Sequence, residues 1–364
     1  MNEQGKQPGF QTRSEIQQEP DAIRTALDQQ DLFAATAKKI HERIPKIIII
    51  TGSGTSYHAA NAAMYFLHVF GKMDCYSIHP SEFPYFIRPI LDEATVVIAI
   101  SQSGESQDTI DAAVIAKEKG ALVIPIVNEA ESTLAKKFPD EVILSQAGKE
   151  VSVLATKTYT SQLAIVASIA LEFGLVSKKI TKEEYKTKVR ELNLIPDRIE
   201  IMKDSIQANA KKIAKYLKFL DRAFVLGAGP DIATAMEGSL KLAEGSRITA
   251  QGYSANEFLH GPITLADREN LVITLIPPIE DEHEKDFIKI INRVKQQGAS
   301  VLAIASRSED VPEIVDFKMD IPKCPMEFNP LLSIVPLQYL VLEIALEKNL
   351  DPDKPEWLTK IAKI

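Results

Sequence analysis

The sequence has 364 residues, of which 45% are hydrophobic and 25% are charged, enough apolar material for one large or two ordinary globular cores. The formal net charge of −8 argues against a nucleic acid or an anionic membrane as the main partner, so any anion must be bound locally. The two cysteines, Cys75 and Cys324, are too few for a disulfide framework and lack metal-ligand spacing, which fits a reducing compartment.

In chain order, the polar N-terminus has no apolar segment behind it, and the long apolar runs are interrupted by Gly, Ser or Pro. We therefore predict a soluble, cytoplasmic protein without a membrane span. Apolar residues at helical spacing predict an opening helix over residues 18–43. Residues 46–51 then predict a strand buried on both faces, followed by the loop Gly52-Ser-Gly and a helix from about Tyr57.

The same order of strand, loop and helix recurs further along the chain. Strands are predicted at residues 94–101, 121–128 and 142–145, with a helix ending near Gly120 and a long helix near residues 156–174. Strands that alternate with helices predict a parallel, doubly wound α/β sheet.

The second half of the sequence repeats the first. Gly52 and Gly227 lie in similar strand–loop segments at an offset of 175 residues, and Gly120 and Gly298 match at an offset of 178. Any two strand–loop–helix units look somewhat alike, but the nearly common offset favours two copies of one fold. The predicted segments are an N-terminal helical segment 1–45, a first domain 46–177, a helical linker 178–217, a second domain 218–350 and a C-terminal tail 351–364.

The most informative loop follows the predicted strand that ends at Ser101. It carries the hydroxyl groups of Ser101, Ser103 and Ser106 around Gly104, directly before a helix. Unpaired N–H groups of a helical first turn, the helix dipole and hydroxyl groups together can hold a phosphate dianion without an arginine. One serine would be explained as a simple helix cap, but three at the end of a strand favour a phosphate site.

The second half has a different loop at the equivalent place. Residues 277–282 are Pro-Pro-Ile-Glu-Asp-Glu, whose carboxylates would repel phosphate, so we predict one phosphate site per chain. Neither glycine loop has the Gly-Lys-Ser/Thr ending of a Walker motif or the GxGxxG spacing, so nucleotide binding is not favoured.

Five motifs occur in a fixed order along the chain. They are Gly54-Thr-Ser-Tyr, Ile100-Ser-Gln-Ser-Gly-Glu-Ser, Thr156-Lys, Glu237-Gly-Ser-Leu-Lys-Leu and Glu257-Phe-Leu-His-Gly-Pro. Together they resemble the sugar isomerase (SIS) family, specifically the tandem-domain isomerase half of glucosamine-6-phosphate synthase. The resemblance extends from about Glu15 to the tail. It implies an α/β fold of two tandem SIS domains, each a doubly wound, mostly parallel sheet flanked by helices.

The resemblance also implies site residues, and it implies no metal and no cofactor. The residues expected to hold the phosphate of a sugar 6-phosphate substrate are Ser56, Ser101, Gln102, Ser103 and Ser106. The residues expected to contact the sugar are Gly54, Thr55, Val153 and Ala155. Glu244 would carry the proton between C1 and C2 of the open-chain sugar, although the residue alone would pass for a solvated helix side chain.

Two further residues would act on the sugar ring. The resemblance implies that His260 assists ring opening in the active site of a neighbouring subunit, which requires a homodimer. It implies that Lys360, in a tail that closes the active site, opens the ring and can form a Schiff base with the ketose. The only tryptophan, Trp357, is expected to anchor this tail over the site.

The sequence departs from the synthase pattern in two ways. Ala155 stands where the synthase has a sugar-contacting serine, and Thr359 stands where it has alanine. The sequence opens with a helix instead of a domain with an N-terminal nucleophilic cysteine, so we do not expect glutamine hydrolysis. The same chemistry with free ammonia would favour loss of nitrogen, which predicts a deaminase converting glucosamine 6-phosphate and water to fructose 6-phosphate and ammonia, reversibly.

Three alternative functions stay open. The first is an isomerizing fructose-6-phosphate aminotransferase subunit that receives ammonia from a separate glutaminase subunit. The second is a fructosamine-6-phosphate deglycase, for which Ala155 would leave extra space. The third is a non-catalytic sugar-phosphate sensor. It is less favoured because regulators of this family usually join one SIS domain to a DNA-binding motif and lack the matched Glu244, His260 and Lys360.

Overall fold

The computed structural model of the chain describes residues 7–277, 282–306 and 311–360. In these ranges it contains two five-stranded parallel sheets with flanking helices. This confirms the predicted α/β class and the two similar halves. Residues 278–281 of the acidic loop 277–282, which is predicted to exclude phosphate from the second half, lie outside the described residues.

The described chain divides into two compact units. The first-sheet unit comprises residues 21–150 and 157–194, and the second-sheet unit comprises residues 7–20, 151–156 and 195–360. The predicted boundaries divide the chain into consecutive segments, whereas each of these units is assembled from separated segments.

The helices and strands are bounded as follows. Up to residue 194 they are α1 (Phe10–Gln17), α2 (Glu19–Leu27), α3 (Gln30–Glu42), β1 (Ile47–Gly52), α4 (Thr55–Phe66), β2 (Cys75–Ile78), β3 (Thr95–Ser101), α5 (Gln107–Glu118), β4 (Leu122–Val127), α6 (Thr133–Lys137), β5 (Ile143–Leu144), α7 (Lys157–Val176) and α8 (Lys182–Asn193). Beyond it they are α9 (Ile195–Leu217), β6 (Arg222–Gly227), α10 (Asp231–Ser246), β7 (Thr249–Ser254), α11 (Ala255–Phe258), β8 (Asn270–Ile276), α12 (Glu282–Gln297), β9 (Ser300–Ala305), β10 (Phe317–Asp320) and α13 (Pro330–Glu347).

Both sheets have the same strand topology. The first sheet has the order β2-β1-β3-β4-β5 and the second has the order β10-β9-β8-β6-β7, so corresponding strands occupy corresponding places. In a sheet of this order, ligands bind beyond the carboxyl ends of the first and third strands, where the chain direction across the sheet reverses. In the first sheet, that place is the end of β1 and β3, which pair Gly52 with Ile100.

Each sheet is covered by helices that bury its faces. In the first-sheet unit, α7 packs against α3 and α4, and every residue of β3 and β4 is buried. In the second-sheet unit, α13 packs against α9 and α10. A strand buried on both faces consists of nearly continuous apolar residues, which is why these central strands were visible in the sequence.

The sequence did not predict the short strands β2, β7 and β10. The strands β2 and β7 are partly exposed and contain polar residues, so their sequences show no continuous apolar run. The predicted opening helix is divided into α2 and α3, and α1 precedes it.

Two helical segments, Lys157–Val176 and Met326–Glu347, are long and apolar enough to cross a membrane. In the structure, 83% and 94% of their most apolar stretches are buried. Buried core helices of soluble proteins also meet these two criteria, so the segments are weak evidence for a membrane span.

Candidate active site

The serine-rich loop after β3 folds around its own hydroxyl groups. The buried Ser101 accepts a hydrogen bond from the N–H of Gly104 at 3.0 Å, and Ser103 accepts one from the N–H of Glu105 at 3.1 Å. Gly104 has a φ of +65°, and a Cβ atom there would lie 2.2 Å from Oγ of Ser132. The loop therefore requires glycine at this position.

The carboxylate of Glu105 is engaged by the start of α6. It accepts hydrogen bonds from the N–H of Thr133 at 2.7 Å and from the Thr133 hydroxyl at 2.8 Å. This arrangement explains how a glutamate can occur in a loop expected to bind an anion. The negative charge stabilises the N-terminus of another helix.

Ser106 and Gln102 lie on either side of Gly104 in the same loop, and both are half-buried. Ser106 is the N-cap residue of α5, but its side chain makes no capping hydrogen bond. The first-turn N–H groups of α5 begin directly after it. The four predicted phosphate-binding residues of this loop are thus on one short segment at the start of a twelve-residue helix.

The neighbouring loop after β1 supplies the other residues predicted near the phosphate. A Cβ atom on Gly52 would lie 2.7 Å from the carbonyl oxygen of Ile100, so glycine lets this loop approach the end of β3. Gly54 is exposed with a φ of +57°, and Thr55 begins α4. Ser56 is buried, and its Oγ accepts a hydrogen bond from Nε2 of Gln162 on α7 at 3.4 Å.

Glu244 lies on α10, in the second-sheet unit, beside a buried ion pair. The Nζ atom of Lys241 lies 2.6 Å from Oε2 of Glu244 and 3.4 Å from Oε1 of Glu237. The side chains of Lys241 and Glu237 are 2% and 1% exposed, whereas that of Glu244 is 19% exposed. The lysine therefore fixes one oxygen of a carboxylate that is still accessible to a small molecule.

Lys360 contacts the segment that contains Val153 and Ala155. Its Nζ donates a hydrogen bond to the carbonyl oxygen of Ser152 at 2.6 Å. The same segment contacts α10, because Leu154 lies against Gly245, the residue after Glu244. The second-sheet unit therefore brings together α10, residues 152–155 and the tail.

Two predictions about this part of the molecule have different outcomes. Trp357 is fully exposed, so the expectation that it anchors the tail was wrong. The tail is held instead by the hydrogen bond of Lys360 and by an ion pair between Arg247 and Glu356. His260 is exposed in the turn after α11. Its predicted role across a subunit interface stays a prediction.

The second sheet has a carboxylate where the first sheet has Ser56. Asp231 lies four residues after Gly227, as Ser56 does after Gly52, and it is fully buried. Desolvation raises the pKa of Asp231 to about 6. Hydrogen bonds from Ser333, Asn329 and Thr234 lower this pKa, but the effect of desolvation is larger. A buried carboxylate saturated by its own neighbours does not bind phosphate.

The sequence analysis did not assign roles to Lys241, Glu237 or Gln162. On α10, Lys241 lies four residues after Glu237 and three residues before Glu244. This spacing places all three on one helical face and could have revealed the first two. Gln162 gave no local signal, because its contact with Ser56 spans 106 residues. Among the described residues, no group of three His, Cys, Asp or Glu side chains is placed to hold a metal ion.

Comparisons with known proteins identify the family to which the two-domain fold belongs. The chain matches the family model for the SIS domain at residues 44–172 and 217–348. It is 36% identical, over 99% of its length, to the isomerizing glutamine–fructose-6-phosphate aminotransferase of Pyrococcus horikoshii. The chain spans only 58% of that relative.

Solved structures show the same fold. The C-terminal domain of a glucosamine-fructose-6-phosphate aminotransferase from Francisella tularensis is similar with a TM-score of 0.86 and 25% identity, covering 98% of this chain and 100% of that one. A glucosamine-6-phosphate deaminase from Thermotoga maritima is similar with a TM-score of 0.74 and 24% identity, covering 96% of this chain and 99% of that one. The second likeness shows the fold alone.

Proposed function

The chain belongs to the SIS domain family, and we propose that it catalyses the isomerase reaction between fructose 6-phosphate plus ammonia and glucosamine 6-phosphate plus water. The observation that carries this proposal is the Glu244 carboxylate, held at 2.6 Å by the buried Lys241 ammonium. An aldose–ketose interconversion needs one fixed base that removes a proton at one carbon and returns it at the next. A carboxylate with one anchored oxygen and one accessible oxygen suits this task.

The proposed roles follow the chemistry of each group. The loop of Ser101, Gln102, Ser103 and Ser106 binds the phosphate, with Ser56 beside it. Ammonia adds to the C2 carbonyl of the open-chain ketose and water leaves. Glu244 then moves a proton from C1 to C2, which gives the 2-amino aldose.

Lys360 and His260 are proposed to open the sugar ring. The amine of Lys360 can also form a Schiff base with C2 of the ketose, which ammonia would then displace. Gly54, Thr55, Val153 and Ala155 are proposed to contact the sugar. We propose a cytoplasmic homodimer, in which His260 acts across the interface; a monomer by sedimentation at assay concentration would contradict this role for His260.

The amination direction is better supported than the deaminase function predicted from the sequence. The curated relative with 36% identity is named as an aminotransferase, whereas the deaminase similarity is a likeness of fold. A glutaminase that supplies the ammonia, either as another protein or as another segment, is part of this proposal. The deglycase alternative has no further observation in its favour.

The first experiment supplies fructose 6-phosphate with ammonium and measures glucosamine 6-phosphate, while a parallel reaction supplies glucosamine 6-phosphate alone and measures ammonia. Synthesis faster than breakdown at cellular concentrations supports the amination direction. The opposite ratio supports a deaminase. Binding of fructose 6-phosphate without either reaction would refute the enzymatic proposal in favour of a sensor.

A second experiment tests the base itself. In heavy water that contains ammonium, wild type should introduce deuterium at C1 of fructose 6-phosphate, because Glu244 removes a C1 proton reversibly before the 2-amino aldose forms. Glu244→Gln should lose about 10³-fold or more of this exchange while binding the sugar phosphate normally. Glu183→Gln, which changes an exposed glutamate of α8, is the matched control. Equal loss of exchange and binding in Glu244→Gln would show that the base has been misassigned.

A further inference from the structure

The helix α1 and the C-terminal tail meet in a buried polar cluster that no predicted role explains. The cluster lies in the second-sheet unit, and its four residues are all buried: Thr12 and Glu15 on α1, Ser152 in the segment 151–156, and Asp353 of the tail. Two of these four residues are carboxylates. Buried carboxylates are costly unless hydrogen bonds compensate them, so their contacts identify what the cluster holds in place.

Asp353 holds the start of α1. Its Oδ2 accepts the N–H of Gln11 at 2.9 Å, and its Oδ1 accepts both the N–H and the hydroxyl of Thr12 at 2.7 Å each. The helix has no side-chain cap of its own at Gly9. A carboxylate from the tail, more than 340 residues away along the chain, therefore does the work of an N-cap.

The cluster also fixes the segment before Val153. The hydroxyl of Thr12 donates its one hydrogen bond to Asp353. In the 2.7 Å hydrogen bond between Thr12 and Ser152, the hydroxyl of Ser152 must therefore be the donor. The N–H of Ser152 lies 3.3 Å from both carboxylate oxygens of Glu15. The segment is thus held from α1 by two different side chains.

One peptide group connects this cluster to Lys360. The N–H of the peptide between Ser152 and Val153 donates to the main-chain carbonyl of Asp353 at 3.2 Å, and the C=O of the same peptide accepts from Nζ of Lys360 at 2.6 Å. A peptide group is planar, so fixing its N–H also fixes the direction of its C=O. The position of the lysine ammonium therefore depends on Asp353.

We propose that Asp353 and Glu15 are positioning residues, which set the place of the Lys360 amine by fixing the Ser152–Val153 peptide. This inference rests on the proposed function for the part that concerns turnover. It extends the functional unit to α1 and makes the N-terminal helix a structural support of the C-terminal reactive amine. Neither carboxylate needs to touch the substrate.

The first test measures the support directly, without any substrate. Asp353→Asn replaces one acceptor oxygen by an NH₂ group that faces N–H donors of α1. The substitution therefore breaks the hydrogen bonds between the tail and α1 with little change in side-chain size. Hydrogen exchange at the amides of Ser152 and Val153 should become at least about tenfold faster. Asp28→Asn, at an exposed aspartate between α2 and α3, is the control and should leave both amides unchanged. Unchanged exchange in Asp353→Asn would overturn the proposal.

The second test is a double-mutant cycle with Lys360→Ala. Asp353→Asn should lower kcat about 10- to 100-fold and change the KM for the sugar phosphate less than about threefold, because the phosphate loop is not altered. The double variant should be no slower than Lys360→Ala alone, because Asp353 acts only through the lysine. Glu15→Gln should behave in the same way.

The outcomes separate this inference from the proposed function. Additive losses in the cycle would show that Asp353 affects folding in general, and this would overturn a positioning role. Full activity of Lys360→Ala would show that the amine has no role in turnover, and it would therefore also contradict a positioning role for Asp353 and Glu15. If wild type catalyses neither direction, the proposed function fails, whereas faster amide exchange in Asp353→Asn still supports the contact that places the lysine.

Discussion

The buried carboxyl group of Asp231 should make the stability of the protein fall as the pH rises from 4 to 7. Desolvation raises the pKa of this group from 3.8 to about 6 in the folded chain. The folded state therefore retains the proton over a range in which the unfolded chain has released it. For a carboxyl group with a raised pKa, stability is greatest below the unfolded pKa and decreases until the pH exceeds the folded pKa.

The size of the effect follows from the two values. A difference of about two in pKa corresponds to about 3 kcal/mol in the free energy of unfolding, of which about 2 to 3 kcal/mol is lost between pH 4 and pH 7. Asp231→Asn removes the titration but retains an oxygen that can accept from Ser333 and Thr234. Any cost of placing its amide beside Asn329 does not change with pH.

Urea denaturation of both proteins at several pH values measures the prediction. Every other carboxyl group titrates in wild type and variant alike, so the difference between their free energies of unfolding isolates Asp231. We expect wild type to lose about 2 to 3 kcal/mol relative to Asp231→Asn from pH 4 to pH 7. Asp221→Asn, at an exposed aspartate, should show no such trend. A wild-type-minus-variant difference that stays constant across this range would refute the reasoning.

Three other substitutions test the site. Gly104→Ala places a Cβ atom 2.2 Å from Ser132 Oγ at a positive φ, so it should destabilise the protein by about 2 kcal/mol or more. It should also weaken phosphate binding, which calorimetry with inorganic phosphate would measure. Glu105→Gln should cost about 1 kcal/mol by urea denaturation and leave phosphate affinity within about twofold, because the carboxylate contacts Thr133; much tighter phosphate binding would mean that it faces the anion. Lys241→Met should destabilise the protein by about 3 to 5 kcal/mol and abolish C1 exchange, and normal exchange in a folded variant would exclude Lys241 as the anchor of the base.

The sequence by itself identified the architecture and predicted the serine-rich loop as an anion site. The central strands β1, β3, β4, β6, β8 and β9 are buried on both faces, and burial of this kind leaves a continuous apolar run that is visible locally. The serine-rich loop was visible for a similar reason, since its hydroxyl groups and glycine are consecutive in the chain. The edge strands β2 and β7 are partly exposed and mixed in composition, so they left no comparable signal.

Only the tertiary structure decided how the reactive groups are supported. The direction of the Glu105 carboxylate depends on Thr133, the hydroxyl of Ser56 depends on Gln162, and the place of Lys360 depends on the peptide after Ser152. Each of these partners lies between 28 and 208 residues away along the chain. A local sequence pattern indicates which face of a helix or strand is buried. A contact between distant segments forms only when the chain folds, so neighbouring residues could not predict these three contacts.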